Sequence, residues 1–396
     1  MKLAIHAAAT LLLAQVTICL VGSTGIYDLD PEHPWNRLHA ELLVRTFPNG
    51  NTYGHDLLDP LLWADALLDE TPFPRKLAVL DAFIADDAEK LIDAPNARAV
   101  LQHDLWSVYD WLAGTADEWP VGYVERARQL QRRLVIIIQR LAMSPKQVAA
   151  LTANYPAAVD AIDGLPDDLF EGAWVAIGDT SNRGLASRAH VNMAGGRSVF
   201  VILMHLPDGR DATRSYLSTF RAEEKDLPTG ARLALVRQLL VIDDAGVVRQ
   251  TPLVESVHLS TYTTAPPQPA AFLMSRRLLL AGIAGGLAAV QVDARSFTRG
   301  PEAYTDDPFR EPAASPFRQG PPFKVLTSCS DCHHAAGVQS MLSARRGHLG
   351  LDVLIGPGIA ESTWSAEIRG AIDWKRSRYD WGLLSGMLDK LRHPDK

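Results

Sequence analysis

The pattern of apolar and polar positions changes period once along this chain. From about residue 31 to 165, apolar residues recur at steps of three and four. Leu38, Leu42, Leu43 and Val44 begin the series, and residues 57–68 continue it past Pro60. Residues 75–92 set Leu77, Val79, Leu80, Phe83 and Ile84 between charges, which is the pattern of an amphipathic helix. Residues 97–112 and 124–141 follow in the same period. Ser144-Pro145 reads as an N-cap with proline at the first helical position, opening a helix that should stop near Pro156. Turn residues interrupt the series at 47–52. These segments predict a bundle of four or five helices.

From about residue 171 the period becomes two. Residues 173–177, 190–193 and 198–204 read as strands, with turns at Gly195-Gly196 and Asp208-Gly209. Residues 235–242 and 247–251 flank Asp243-Asp244-Ala245-Gly246 as a hairpin, and 255–261 reads as one more strand. The apolar run 278–292 is too short to cross a bilayer and reads as buried core. The glycines between 282 and 286 lack the spacing of a dinucleotide loop, and close backbone packing explains them better. Residues 296–322 are rich in proline, glycine and charge, and residues 362–378 and 381–391 read as two final helices. The fold class expected is α+β with several domains. A helical domain spans 24–167 and a mostly antiparallel β-rich domain 168–300. A proline-rich linker covers 301–322, and a small helical module covers 323–396.

Composition narrows the class without naming a function. The chain has 396 residues, enough for two or three cores, and 47% of them are hydrophobic. A net charge of −7 offers no basic field for nucleic acid or an anionic membrane. At the start, Met1-Lys2 and the apolar stretch 3–21 lead to Val21-Gly22-Ser23, the pattern of a signal peptide cut after Ser23. The mature chain is then expected in the periplasm or outside the cell, with no transmembrane helix. No G-x-x-x-x-G-K-[ST], H-E-x-x-H or G-x-S-x-G motif occurs. Asp167 and Asp168 follow Gly164-Leu165-Pro166 and read as turn residues. His190, His205 and His258 fall in expected strands, where core or surface roles outnumber ligation.

Cysteine placement changes the picture. The chain has three cysteines, and Cys19 falls in the expected leader. The other two are Cys329 and Cys332, followed directly by His333. Two thiols at this spacing can add across the vinyl groups of a haem, and the adjacent imidazole can then reach the iron. A redox dithiol or disulfide also fits C-x-x-C, but the few residues after Cys332 leave no room for a thioredoxin-like βαβ fold. Zinc could use Cys329, Cys332, His333 and His334, although no second ligand pair completes a tetrahedral site.

The five residues from Cys329 to His333 resemble the attachment motif of c-type cytochromes. That resemblance implies one covalent haem c on Cys329 and Cys332, with His333 as axial iron ligand. It implies one-electron transfer outside the cytoplasmic membrane to a redox partner protein. Arg345 and Arg346 could contact the haem propionates. Met387 lies at a cytochrome-like interval after His333 and is a possible sixth ligand, with Trp374, Trp381 and Leu383-Leu384 as an apolar wall. Met341 suits packing at the haem edge, and His348 would give a bis-histidine site. An open sixth position would instead suit a peroxidase-like or small-ligand-binding enzyme. No catalytic residue is named by the sequence.

Overall fold

The computed structural model describes residues 30–46, 52–54, 56, 58–60, 62, 64–114, 119–179, 187, 190–191, 194–220, 227–262, 268–291, 295–296, 323–324 and 359–394. Helices fill the first part. These are α1 (Pro34–Leu43), α2 (Ala64–Leu68), α3 (Phe73–Ala85), α4 (Pro95–Gly114), α5 (Val121–Leu141), α6 (Pro145–Ala149) and α7 (Tyr155–Val159). Two short strands, β1 (Arg45–Thr46) and β2 (Thr52–Tyr53), pair beside α1. Ser144 caps α6 as expected: its side chain accepts from the Gln147 amide while Gln147 reaches back to the Ser144 amide. Pro156 does not end a helix. It sits in the first turn of α7, where a missing N–H costs nothing. Residues 58–60 and 62 are not helical either, and the helix expected across Pro60 begins only at Ala64.

The second part is a seven-stranded antiparallel sheet. Its strands are β3 (Val175–Asp179), β4 (Ser198–His205), β5 (Arg232–Ile242), β6 (Val248–Thr261), β7 (Gln268–Met274), β8 (Leu287–Ala289) and β11 (Ile359–Ser362), in the order β11-β3-β4-β5-β6-β7-β8. A separate pair joins β9 (Arg295–Ser296) to β10 (Phe323–Lys324). Helices α8 (Arg210–Thr219) and α9 (Arg276–Leu280) connect strands, and α10 (Trp364–Arg376) and α11 (Tyr379–Arg392) close the chain.

Three expectations for this part change. His190 and Val191 are helical rather than extended, because the Val191 amide bonds Ser187 and the Ala194 amide bonds His190 in i→i−4 fashion. The strands expected at 247–251 and 255–261 are one strand, β6. Register shifts opposite Arg237, Gln238 and Leu240 hide its continuity from a strict period of two. The described part of that run, 278–291, is only partly buried, with Ile283 exposed. Its glycines do serve close packing, since a Cβ on Gly285 would strike the Asn154 carbonyl.

The helical and sheet regions share one core. A single cluster of buried side chains joins Trp35, Leu80, Leu105 and Ile138 of the helices to Val201, Val236 and Val257 of the sheet. It also takes in Trp381, Leu384 and Leu388 of α11. Residues 359–394 therefore do not stand apart as a module. β11 forms the sheet edge against β3, with Ile359 opposite Asp179, while Trp381 packs on Trp106 of α4 with ring centroids 5.8 Å apart. The boundaries expected at 167 and 300 do not divide the packing of the described residues.

Candidate functional site

Cys329, Cys332, His333, Arg345 and Arg346 lie outside the described residues, as do Met341, His348, the linker 301–322 and the leader 1–23. Met387 is described. It lies on α11, half-buried against the core, and its Sδ accepts a hydrogen bond from Tyr109 Oη at 3.4 Å. The two tryptophans expected to wall a haem are committed elsewhere. Trp374 lies on Gly196, where a Cβ would come within 2.7 Å of the ring, and Trp381 packs on Trp106. No helix among the described residues is long and apolar enough to cross a membrane. No group of three or more His, Cys, Asp or Glu among them could hold a metal ion.

The densest chemistry among the described residues surrounds α4. That helix is buried on every side, with Val100, Leu101, Leu105, Trp106, Tyr109 and Trp111 all covered. Its polar residues Gln102, His103, Asp104, Ser107 and Asp110 are buried with them. A buried charge without a partner costs several kcal/mol, so each needs one. Gln102 donates to the Ile138 and Ile242 carbonyls and accepts from the Ile242 amide, stitching α5 and the end of β5 to the helix. Asp104 receives Arg276 Nε at 2.8 and 3.0 Å. Asp110 receives Arg197 at 3.0 Å and Lys375 Nζ at 2.6 Å, and Lys375 also bonds Asp380 at 3.0 Å.

The sheet supplies the largest group. Arg237 on β5 forms a two-pronged pair with Asp59 at 2.9 and 2.8 Å. Its Nε faces Glu255 Oε2 at 3.1 Å and Ser198 Oγ at 3.0 Å. Ser198 in turn donates to Glu255 at 2.6 Å. His103 completes the set, with Nδ1 3.3 Å from the Leu240 carbonyl and Nε2 3.5 Å from Glu255 Oε1. Both ring nitrogens face oxygens, which only the doubly protonated ring can satisfy. Burial opposes that state and pulls the His103 pKa below the usual imidazole value, while the Glu255 charge resists.

Electrostatics in the cluster follow the same contest. Burial would raise the Asp59 pKa, but Arg237 outweighs it and holds the carboxyl at about 2. Glu255 also falls, burial being overcome by Arg237 and His103. Arg237 rises, as Asp59 and Glu255 together outweigh its burial. His258 is half-buried on the same sheet face, and burial with the Arg237 charge lowers it to about 4.

Ser198, Glu255 and His103 superficially suggest nucleophile chemistry, but the bonds run the wrong way. Ser198 gives its proton to Glu255 and takes one from Arg237, and all three groups are fully buried. The arrangement holds charge rather than reaching a substrate. Nothing local in the sequence marks these residues as a group. The available signal was a helix with apolar residues on every face, whose polar side chains must then find partners inside. No protein-family model, curated protein or solved structure matches the chain.

Proposed function

We propose that this chain is an exported protein carrying one covalent haem c and acting in one-electron transfer. The observation that carries the reading is the run Cys329-Ser330-Asp331-Cys332-His333. Its donor set fits the group: two thiols three positions apart form thioethers, and His333 offers a neutral imidazole nitrogen. The bound group would supply reversible one-electron oxidation and reduction at iron. Arg345 and Arg346 would offer guanidinium groups to the propionates. The Lys2, apolar stretch and Val21-x-Ser23 pattern supports export, where such attachment is made in bacteria. A redox partner protein is part of this reading.

The bond between Tyr109 and Met387 favours a second form of the same proposal. For Met387 to serve as sixth ligand, its sulfur must leave Tyr109 Oη. Keeping that bond leaves the sixth position to another group or open to a small ligand, as in a haem enzyme.

Expression with a haem-attachment system tests both forms. The expected product keeps its haem through denaturing electrophoresis and shows a reduced-minus-oxidised c-type spectrum. Replacing both cysteines with alanine should abolish the stain. Carbon monoxide binding to the reduced protein would mark an open sixth position. A colourless wild type with a Cys329–Cys332 disulfide would overturn the proposal.

A further inference from the structure

An open groove of about 380 Å³ runs between the start of β6 and one face of α10. It lies within the range of small-molecule sites, roughly 300–1,000 Å³. Val247, Val248, Arg249 and Gln250 form one wall, and Arg369, Ile372, Asp373 and Arg376 form the other. The α10 residues fall at steps of three and four, so they share one helix stripe. Val248 and Ile372 give the groove an apolar floor, while Arg369 and Arg376 are exposed on its rim.

The charge of this groove runs against that of the chain. Three arginines face one carboxylate, Asp373, in a protein whose net charge is −7. Arg369 and Arg376 form no hydrogen bond or ion pair with any described residue. Arg249 uses Nε on the buried Asp243 at 2.7 Å, and its terminal nitrogens find no partner among the described residues. A fourth guanidinium, that of Arg392, lies on Gly246 at the turn leading into the same wall. Its Nε donates to the Leu388 carbonyl at 3.3 Å, and its Nη2 lies 3.8 Å from Asp389. Arg376 is partly accounted for by its place in the last turn of α10, where a cation complements the helix dipole. Arg369, in the middle of the helix, has Asp373 four positions on as its one neighbouring carboxylate on this stripe.

We infer that this groove binds an organic dianion: a compact apolar or aromatic body bearing two carboxylate or phosphate groups. Guanidinium groups recognise planar oxyanions through paired N–H donors, and the apolar floor suits the body between them. Arg376 lies seven positions after Arg369 on the helix, about 10 Å of axial rise. That spacing suits two oxyanion groups on one body better than a single inorganic ion. The inference is independent of haem attachment, since it rests on β6, the turn before it, α10 and α11 and uses no residue of the C-x-x-C-H motif.

Calorimetric titration of the full chain at low ionic strength tests it, with terephthalate as the organic probe and pyrophosphate as the inorganic one. Terephthalate should bind saturably and weaken as salt is added. Arg369→Gln with Arg376→Gln should lower its affinity at least about tenfold, with thermal unfolding run alongside to confirm the fold. Asp373→Asn should strengthen binding, a gain that a damaged fold would not produce. Absence of saturable terephthalate binding below about 10 mM would overturn the inference. So would binding that ignores the arginine pair. Pyrophosphate binding as tightly as terephthalate at the same residues would overturn the apolar body.

Discussion

One face of the sheet has two ends that are built from opposite materials. At one end, Val175, Ile177, Met204 and Leu233 pack under Leu217 of α8 with no charge among them. A few rows along the same face, Phe200 of β4 stands beside Arg237 of β5 and Ser256 of β6. There Asp59 and Glu255 converge on the guanidinium, and His103 faces the second oxygen of Glu255. The apolar end is stabilised by area removed from water and tolerates many substitutions of similar volume. The charged end works differently. Its ions have already lost their water, so its stability depends on every partner being present.

Removing the central cation should therefore give the largest effect. Arg237→Met leaves Asp59 and Glu255 facing each other's charge in a buried site, and should cost about 3–5 kcal/mol in denaturant unfolding. A fall below about 1 kcal/mol would mean that water already reaches the pair, and the contrast between the two ends would collapse. At the apolar end, Leu217→Ala removes a side chain only 3% exposed and should cost about 2–3 kcal/mol through transfer and cavity terms. If the helix settles into the gap, the cost will fall toward the transfer term alone.

Acid should separate the two ends more gently. His258 has its pKa lowered to about 4 from 6.5 in the folded state, so unfolded chains bind its proton first as pH falls. Its contribution is complete above pH 6.5 and is lost as pH falls toward about 4. Asp59, lowered from 3.8 to about 2, adds a second loss between those values, on the order of 2 kcal/mol before allowance for its partial exposure. None of the side chains of the apolar cluster itself titrates in that range. His258→Phe should flatten the first phase of a stability-against-pH curve and leave the second. Equal acid sensitivity in wild type and variant would assign the first phase to other groups, His103 being the next in line because its pKa is lowered in the same direction.

The apolar end was legible in the sequence and the charged end was not. The apolar run 199–204 between turn signals marks a strand, and β4 is found there. The turns at Gly195-Gly196 and Asp208-Gly209 are legible for a related reason: Gly196 and Gly209 adopt positive φ, which glycine alone accepts freely. Arg237 and Glu255 carry no local mark of burial, because period cannot say that Asp59, far away in sequence, covers them. The bulge at Glu255 further hides β6 by placing neighbouring residues out of strict alternation. The union of α10 and α11 with α4 was equally hidden, since Lys375 of α10 meets Asp110 across 265 positions and Trp381 of α11 meets Trp106. As for the candidate haem site, its motif is readable because thiol spacing is local chemistry, whereas an axial ligand is chosen by tertiary approach.

Met387 provides the smallest and most informative perturbation. In the folded chain its thioether accepts the Tyr109 hydroxyl, and burial next to Asp110 and Asp380 keeps that hydroxyl protonated by raising its pKa. A thioether is a weak acceptor, so Met387→Leu keeps the volume and should cost only about 0.5–1 kcal/mol. Tyr109→Phe should cost a similar amount. The double variant should cost less than the sum, because both changes remove one shared bond. In the haem-loaded protein the same Met387→Leu change should leave the visible and near-infrared spectrum as it was, since the sulfur is expected to stay with Tyr109. Loss of a thioether-to-iron band in Met387→Leu, with a lowered midpoint potential, would show that the sulfur had left Tyr109 for the iron. In that case Tyr109→Phe should tighten the ligation by releasing the sulfur from its competing donor.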